Sequence, residues 1–168
     1  MAKQSPTRDA LQLLADDHRT VEALFEKFET TRGAATQQKI VQQICEELTI
    51  HCIIEEQVFY PAVREAADDD MLDEAQVEHD SAKVLIESLQ ASTPEDPFYE
   101  AKVSVLKEQV EHHVYEEERQ RGSIFAQARR SEVDLVALGA QMAELKAELK
   151  AQAKAGSLEA PEKVALRA

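Results

Sequence analysis

Five histidines occur in the 168 residues, and four of them, His18, His51, His79 and His113, fall on the apolar stripes of four separate amphipathic segments. In two of these segments a glutamate follows four positions on, Glu55 after His51 and Glu117 after His113. In a helix that spacing is the same face, one turn along. A lone histidine on an apolar stripe is usually a hydrogen-bonded core residue. Four of them with two carboxylates call for more, because a buried carboxylate is strongly disfavoured without a cation. The stripes read as bringing no lysine or arginine to supply one. A pair of divalent or trivalent metal ions would do so: imidazole nitrogen with carboxylate oxygen suits iron, manganese or zinc, and a carboxylate can bridge two ions.

The last motif, HHVYEEE, offers two registers, His113 with Glu117 or His112 with Glu116. His18 and His51 are 33 residues apart, as are His79 and His112, which favours the second. Hydrophobic phase favours the first. Val103, Leu106 and Val110 precede His113 at the spacing that Val41, Ile44 and Leu48 keep before His51, whereas Lys102, Val105 and Gln109 precede His112. His113 and Glu117 are therefore expected in the centre. His112, Glu116, Glu56, Glu118 and Lys83 are candidates for a surrounding layer that orients the histidines, as is Tyr115, with Tyr60 and Tyr99 as further hydroxyl donors.

Four long helices must carry these groups, each with apolar residues at alternating three- and four-residue spacing. The first follows Thr7 as candidate N-cap and carries Leu11, Leu14, His18, Val21, Phe25 and Phe28. The second runs through Val41, Leu48, His51, Glu55 and Ala62. The third starts in the acidic run Asp68-Asp69-Asp70, favourable at the positive end of a helix dipole, and carries Leu72, His79, Ile86 and Leu89. The linker ASTPEDP separates it from the fourth, which begins near Phe98. The order "one histidine, linker, His-x3-Glu-Glu" occurs twice, at about 8–67 and 69–130, and an all-α, up-down-up-down four-helix bundle is the simplest way to bring the stripes together. Leu135, Leu138, Met142, Leu145 and Leu149 predict an additional C-terminal helix over about 131–154, which caps the bundle or pairs two copies as a homodimer. Residues 1–7 read as disordered, 8–155 as one domain and 156–168 as a flexible tail.

Charged residues make up 31% and the net charge is −14, which opposes nucleic acid and anionic lipid. No apolar run is long enough for a membrane span and MAKQSPTRDA lacks the apolar core of a signal peptide, so a cytoplasmic protein is expected. Cys45 and Cys52, seven positions apart on one helix, lie too far apart to pair.

The stretches LTIHCIIEEQVFYPA, VEHDSAKVLI, YEAKVSVLKEQVEHHVYEEE and GSIFAQARRSEVDLVALG resemble the bacterial hemerythrin-like HHE cation-binding family, over roughly residues 8–150. The resemblance implies a hemerythrin-like bundle around a non-haem di-iron centre, two iron ions held by His18, His51, Glu55, His79, His113 and Glu117, with both glutamates as bridges. It departs from the oxygen carriers of that group, which resemble His-x3-His on the third helix and His-x4-Asp at the end. Lys83 stands four after His79 and the last motif is His-x3-Glu. One histidine is missing, and this turns the expectation from simple oxygen carriage to reaction with peroxide, dioxygen or nitric oxide, with catalase-like peroxide decomposition or ferroxidase activity as the enzymatic forms. Lys83 is expected to pair with a metal-holding glutamate or a bound anion, or else to reach solvent. The reading from another class is a non-catalytic iron or oxygen sensor or carrier. Glu-x-x-His, the ferritin signature, is absent at all five histidines, which argues against storage.

Overall fold

Asp9 starts the first helix: its side chain accepts from the Gln12 amide while the Gln12 side chain accepts from the Asp9 amide, a reciprocal capping box. The computed structural model describes residues 8–167. The expected cap Thr7 and the expected disordered stretch 1–7 lie outside them. Helix α1 spans Ala10–Thr30 and α2 Ala34–Ile54. The latter runs on without a break through a π-helical turn, π1 (Glu55–Phe59), into α3 (Tyr60–Val63). Asp68 caps α4 (Asp69–Gln90) by accepting from the amides of Asp70 and Met71. Helix α5 (Tyr99–Val114) likewise ends in a π-turn, π2 (Tyr115–Arg119). A short α6 (Ile124–Arg129) and a long α7 (Leu135–Ala155) complete the chain. The described residues contain no strand.

Helices α1 and α2 form one antiparallel pair and α4 and α5 the other, and contacts of α2 with α4 and of α1 with α5 close the bundle. The stripes read from the sequence face inward. Their apolar residues separate into two clusters, one around Leu14, Ile54, Phe59 and Ile124, the other around Val21, Phe25, Ile44, Leu48, Ile86 and Leu106. The stripe histidines occupy the level between them, with Leu14 and Val21 to either side of His18 and Leu48 and Ile54 to either side of His51. A layer of polar side chains in mid-bundle divides what would otherwise be one continuous core.

Helix α7 packs across α1 and α2, burying Leu138, Met142 and Leu149 in the first cluster. Of the two expectations for the C-terminal helix, this packing is that of a helix that caps the bundle. Beyond Gly156 the chain is irregular and returns to α4. The Ala165 and Leu166 amides donate to Asp80 Oδ2 at 2.6 and 3.0 Å, and the Glu162 carbonyl accepts from Lys83 at 2.8 Å.

The close approach of α7 to the start of α1 depends on Gly139. A Cβ placed there would meet the Arg8 carbonyl oxygen at 2.6 Å and the Ala10 nitrogen at 2.7 Å, both backbone atoms that cannot swing aside. Gly139→Ala is expected to lower unfolding free energy by about 1–3 kcal/mol despite the better helix propensity of alanine. Urea denaturation measures this, and a stability gain would mean that α7 yields easily.

Candidate metal centre

Four imidazoles, one from each bundle helix, turn their Nε2 atoms toward one another at the level between the two apolar clusters. His18 and His51 meet at 3.2 Å and His79 and His113 at 3.4 Å, and each pair of rings has its centroids 4.8 Å apart. The carboxylates of Glu55 and Glu117, 0% and 1% exposed, lie between the pairs. Glu55 sets one oxygen 3.2 Å from His51 Nε2 and the other 3.1 Å from His79 Nε2. Oε2 of Glu117 lies 3.3 Å from His18 Nε2 and 3.6 Å from His113 Nε2. All six residues expected in the centre are thus together. His113 is in it, while His112, one position round the helix, is 60% exposed.

The outward faces of the imidazoles explain why the Nε2 atoms are free. His18 Nδ1 is 3.0 Å from Glu118, His79 Nδ1 is 2.9 Å from Glu56 and His113 Nδ1 is 2.8 Å from Glu78. His51 Nδ1 faces Asp17 at a longer 3.6 Å. A carboxylate beyond Nδ1 fixes the proton there and leaves the Nε2 lone pair pointing inward, which is how metal-binding histidines are commonly oriented. The arrangement has an approximate two-fold relation. Each half supplies the residue just before its first histidine, Asp17 or Glu78, to its own second histidine. Each also lends the residue just after its central glutamate, Glu56 or Glu118, to the other half.

Both π-turns fall at the central glutamates, a frequent position for such turns at functional sites. In a regular α-helix Tyr60, five residues after Glu55, would lie well round from it. The i→i+5 bond from the Tyr60 amide to the Glu55 carbonyl brings the two onto one face. Tyr60 is 4% exposed, and its hydroxyl donates to Glu55 Oε2 at 3.2 Å and to Glu117 Oε1 at 3.1 Å. Burial, with the charges of Glu117 and Glu55, pushes its ionisation well above the usual tyrosine range, so the hydroxyl stays a donor. Among the tyrosines Tyr60 is the one in the centre. Tyr115, expected in the surrounding layer, is 54% exposed and is corrected to a surface residue, and Tyr99 lies in the far apolar cluster. Glu116 turns outward to His112 at 3.5 Å instead of supporting a central histidine.

Lys83 neither reaches solvent nor touches Glu55 or Glu117. At 2% exposure its ammonium donates to Glu56 at 2.9 Å, to Asp80 at 2.9 Å and to the Glu162 carbonyl. It neutralises the outer carboxylate behind His79, one step removed from the pairing expected.

The donor set fits metal ions. Glu55 Oε1 and Glu117 Oε2 are buried without a hydrogen-bond partner, an unfavourable state unless a cation takes those lone pairs. Two sets of donor atoms are each compact enough for one ion: His18, His51, Glu55 and Glu117, and Glu55, His79 and His113. Glu55 belongs to both. Without metal, protons carry the positive charge. Burial alone would lower the His51 pKa, but Glu55 and Asp17 outweigh it and raise it to about 10. The same competition, won by the carboxylates of Glu117, Glu55 and Glu78, lifts His113 well above its ordinary value. Burial would raise Glu55, yet the surrounding imidazoles, His51 foremost, hold it well below the carboxylate range.

The profile described as "Hemerythrin HHE cation binding domain" matches residues 9–122. A DNA nickase of Nostoc sp. is 32% identical over 102 residues, which is 61% of this chain but only 29% of that protein. Among solved structures, a hemerythrin HHE cation binding domain-containing protein from Mycobacterium kansasii superposes with a TM-score of 0.71 at 22% identity, covering 89% of this chain and 94% of its own. That likeness establishes the shared bundle.

Two outcomes follow from the charges. Lys83→Met leaves Glu56 and Asp80 without their common cation and is expected to lower unfolding free energy by about 3 kcal/mol; equal urea midpoints for variant and wild type would show the ammonium to be dispensable. Imidazoles protonated at pH 7 must give up those protons to accept an ion, so adding Fe(II) or Zn(II) to metal-free protein should release protons. Calorimetry in buffers of different ionisation enthalpy detects this, and a buffer-independent heat would contradict it.

Proposed function

Because this chain belongs to the hemerythrin HHE cation-binding family, we propose that its six convergent side chains hold two iron ions and that the centre binds or reacts with a small oxygen species, namely peroxide, dioxygen or nitric oxide. His18, His51, Glu55 and Glu117 would hold one ion and His79, His113 and Glu55 the other, with Glu55 common to both sets. Iron so held supplies reversible one-electron chemistry and an open position for an incoming small molecule.

The observation that carries this reading is the cavity against the histidines. It has a volume of about 30 Å³ and is walled by Val21, Leu48, Ala82, Val110 and Val114, with His18, His51, His79 and His113 along one side. Such a space takes a molecule of two or three heavy atoms. Its apolar wall favours a neutral diatomic or peroxide over an ion. Tyr60 keeps a neutral O–H directed at both glutamates, and the carboxylates behind the imidazoles hold the Nδ1 protons, so the protein's own groups fix the donor set and exclude bulk water. Only three histidine-type or carboxylate groups surround the second position, since Lys83 faces Glu56 instead. That lower saturation favours reaction with peroxide over simple oxygen carriage.

The Nostoc relative is named for DNA nicking. We read the shared hundred residues as a cation-binding module, since this chain corresponds to 29% of that protein and carries a net charge of −14, which opposes a polyanion.

Anaerobic loading with Fe(II), followed by metal analysis and optical spectra before and after peroxide or dioxygen, tests the proposal. Two irons per chain, a spectral change on peroxide and measured oxygen evolution are expected, and Glu55→Gln should lose at least one of the irons. A reversible change on dioxygen without turnover would favour a carrier or sensor. Failure to retain iron would overturn the reading, and nicking of supercoiled plasmid by loaded protein would redirect it to the activity named for the relative.

A further inference from the structure

A second group of metal-type donors lies outside the cage. His112 Nε2 stands 3.5 Å from Glu78 Oε1 and 3.5 Å from Glu116 Oε1. The donor atoms of the three all lie within 4.8 Å of one another. Glu78 belongs to both sites, for its other oxygen is the acceptor 2.8 Å from His113 Nδ1.

Two of the trio, Glu78 and Glu116, also line a space that reaches two residues of the cage. A cavity of about 30 Å³ has Glu74, Glu78 and Glu116 on its wall, and His113 and Glu117 also line it; Glu78 and His113 border the apolar cavity as well. Glu117 is 1% exposed and its Oε2 has no hydrogen-bond partner, so a buried, unsatisfied carboxylate oxygen belongs to the residue at the inner side. The two cavities differ in chemistry. The apolar one opposes a charged species, whereas the carboxylates here replace part of an ion's hydration shell.

The approximate two-fold relation of the halves sharpens the point. Asp17 is the counterpart of Glu78, and it is 6% exposed with Lys146 of α7 as its partner. A protein cation already occupies that place, so the route is closed in one half. In the other half Glu78 is met by the exposed His112 and remains partly accessible.

We propose that His112, Glu78 and Glu116 form a surface docking site for a hydrated divalent transition-metal ion, through which the buried cage is loaded. This rests on the reading of the cage as a metal site. The ion is held first by one imidazole and two carboxylates, then passes Glu78 and Glu116 to the open oxygen of Glu117. Small neutral ligands use the apolar cavity.

The double variant His112→Ala, Glu116→Gln changes exposed or half-exposed side chains and leaves all six cage residues in place. Fe(II) at low micromolar concentration is mixed anaerobically with metal-free full-length protein, and uptake is followed in time and by final metal analysis. The variant is expected to reach the wild-type iron content about tenfold more slowly. Glu111→Gln, an exposed change on the same helix outside the trio, is expected to load at the wild-type rate. Wild-type kinetics in the double variant would overturn the docking site and leave the cage reading standing, as would equal slowing in Glu111→Gln, which would mark a general charge effect. If wild type itself takes up no iron, the cage reading fails and the docking site with it.

Discussion

Two carboxylates buried in the middle of a helical bundle set the terms for the rest of this structure. Glu55 and Glu117 face each other's helices with almost no access to water. The energetic demand of that burial exceeds what any single neighbour provides. Four imidazoles from four helices meet it together, a tyrosine hydroxyl donates to both, and outer carboxylates hold the imidazoles in the one orientation that serves. Even the division of the apolar core into two clusters follows, since the bundle must give up a full layer of packing to house the group.

The design is that of one half used twice, and its departures from symmetry are as informative as its agreement. Helix pairs α1–α2 and α4–α5 present equivalent residues, and each half completes the other's histidine with the glutamate after its own central one. The symmetry breaks where later parts of the chain intervene. Helix α7 brings Lys146 to Asp17, while among the described residues no lysine or arginine pairs with Glu78. Lys83 on α4 has no equivalent in the first half, where the position four after His18 is Glu22. One half is therefore sealed by protein cations from outside the bundle and the other is braced by a cation from within it.

Much of this was legible in the residues alone. The 3.6 period placed the four stripes, and the same phase selected His113 over His112, because a shift of one position turns a side chain by about 100° out of the core. Other features lay beyond such a reading for definite reasons. Tyr60 is brought to the centre by a π-turn, and a regular helical period assigns it to another face. Asp17 and Glu78 sit one position off their stripes, where helical phase does not single them out; the recurring acid-before-histidine in both halves was the available signal. Lys83 was expected at the surface or at a central glutamate, since nothing local foretells that Asp80 and a distant carbonyl will enclose its ammonium. The apolar stripe of α7 was plain, but whether it faces its own chain or another copy depends on long-range packing around Gly139.

The segment after Gly156 fastens to Asp80 and Lys83 through two amides and one carbonyl, while its side chains Val164 and Leu166 stay half exposed. Backbone groups are the same in every residue but proline. Over evolutionary time this stretch is therefore free to change its letters but not its count: most substitutions from 162 to 166 leave the fastening intact, proline at 165 or 166 removes a donor, and one residue inserted or lost shifts every amide out of reach of Asp80. A comparison of relatives by identity would score the segment as dispensable, and one by spacing would not.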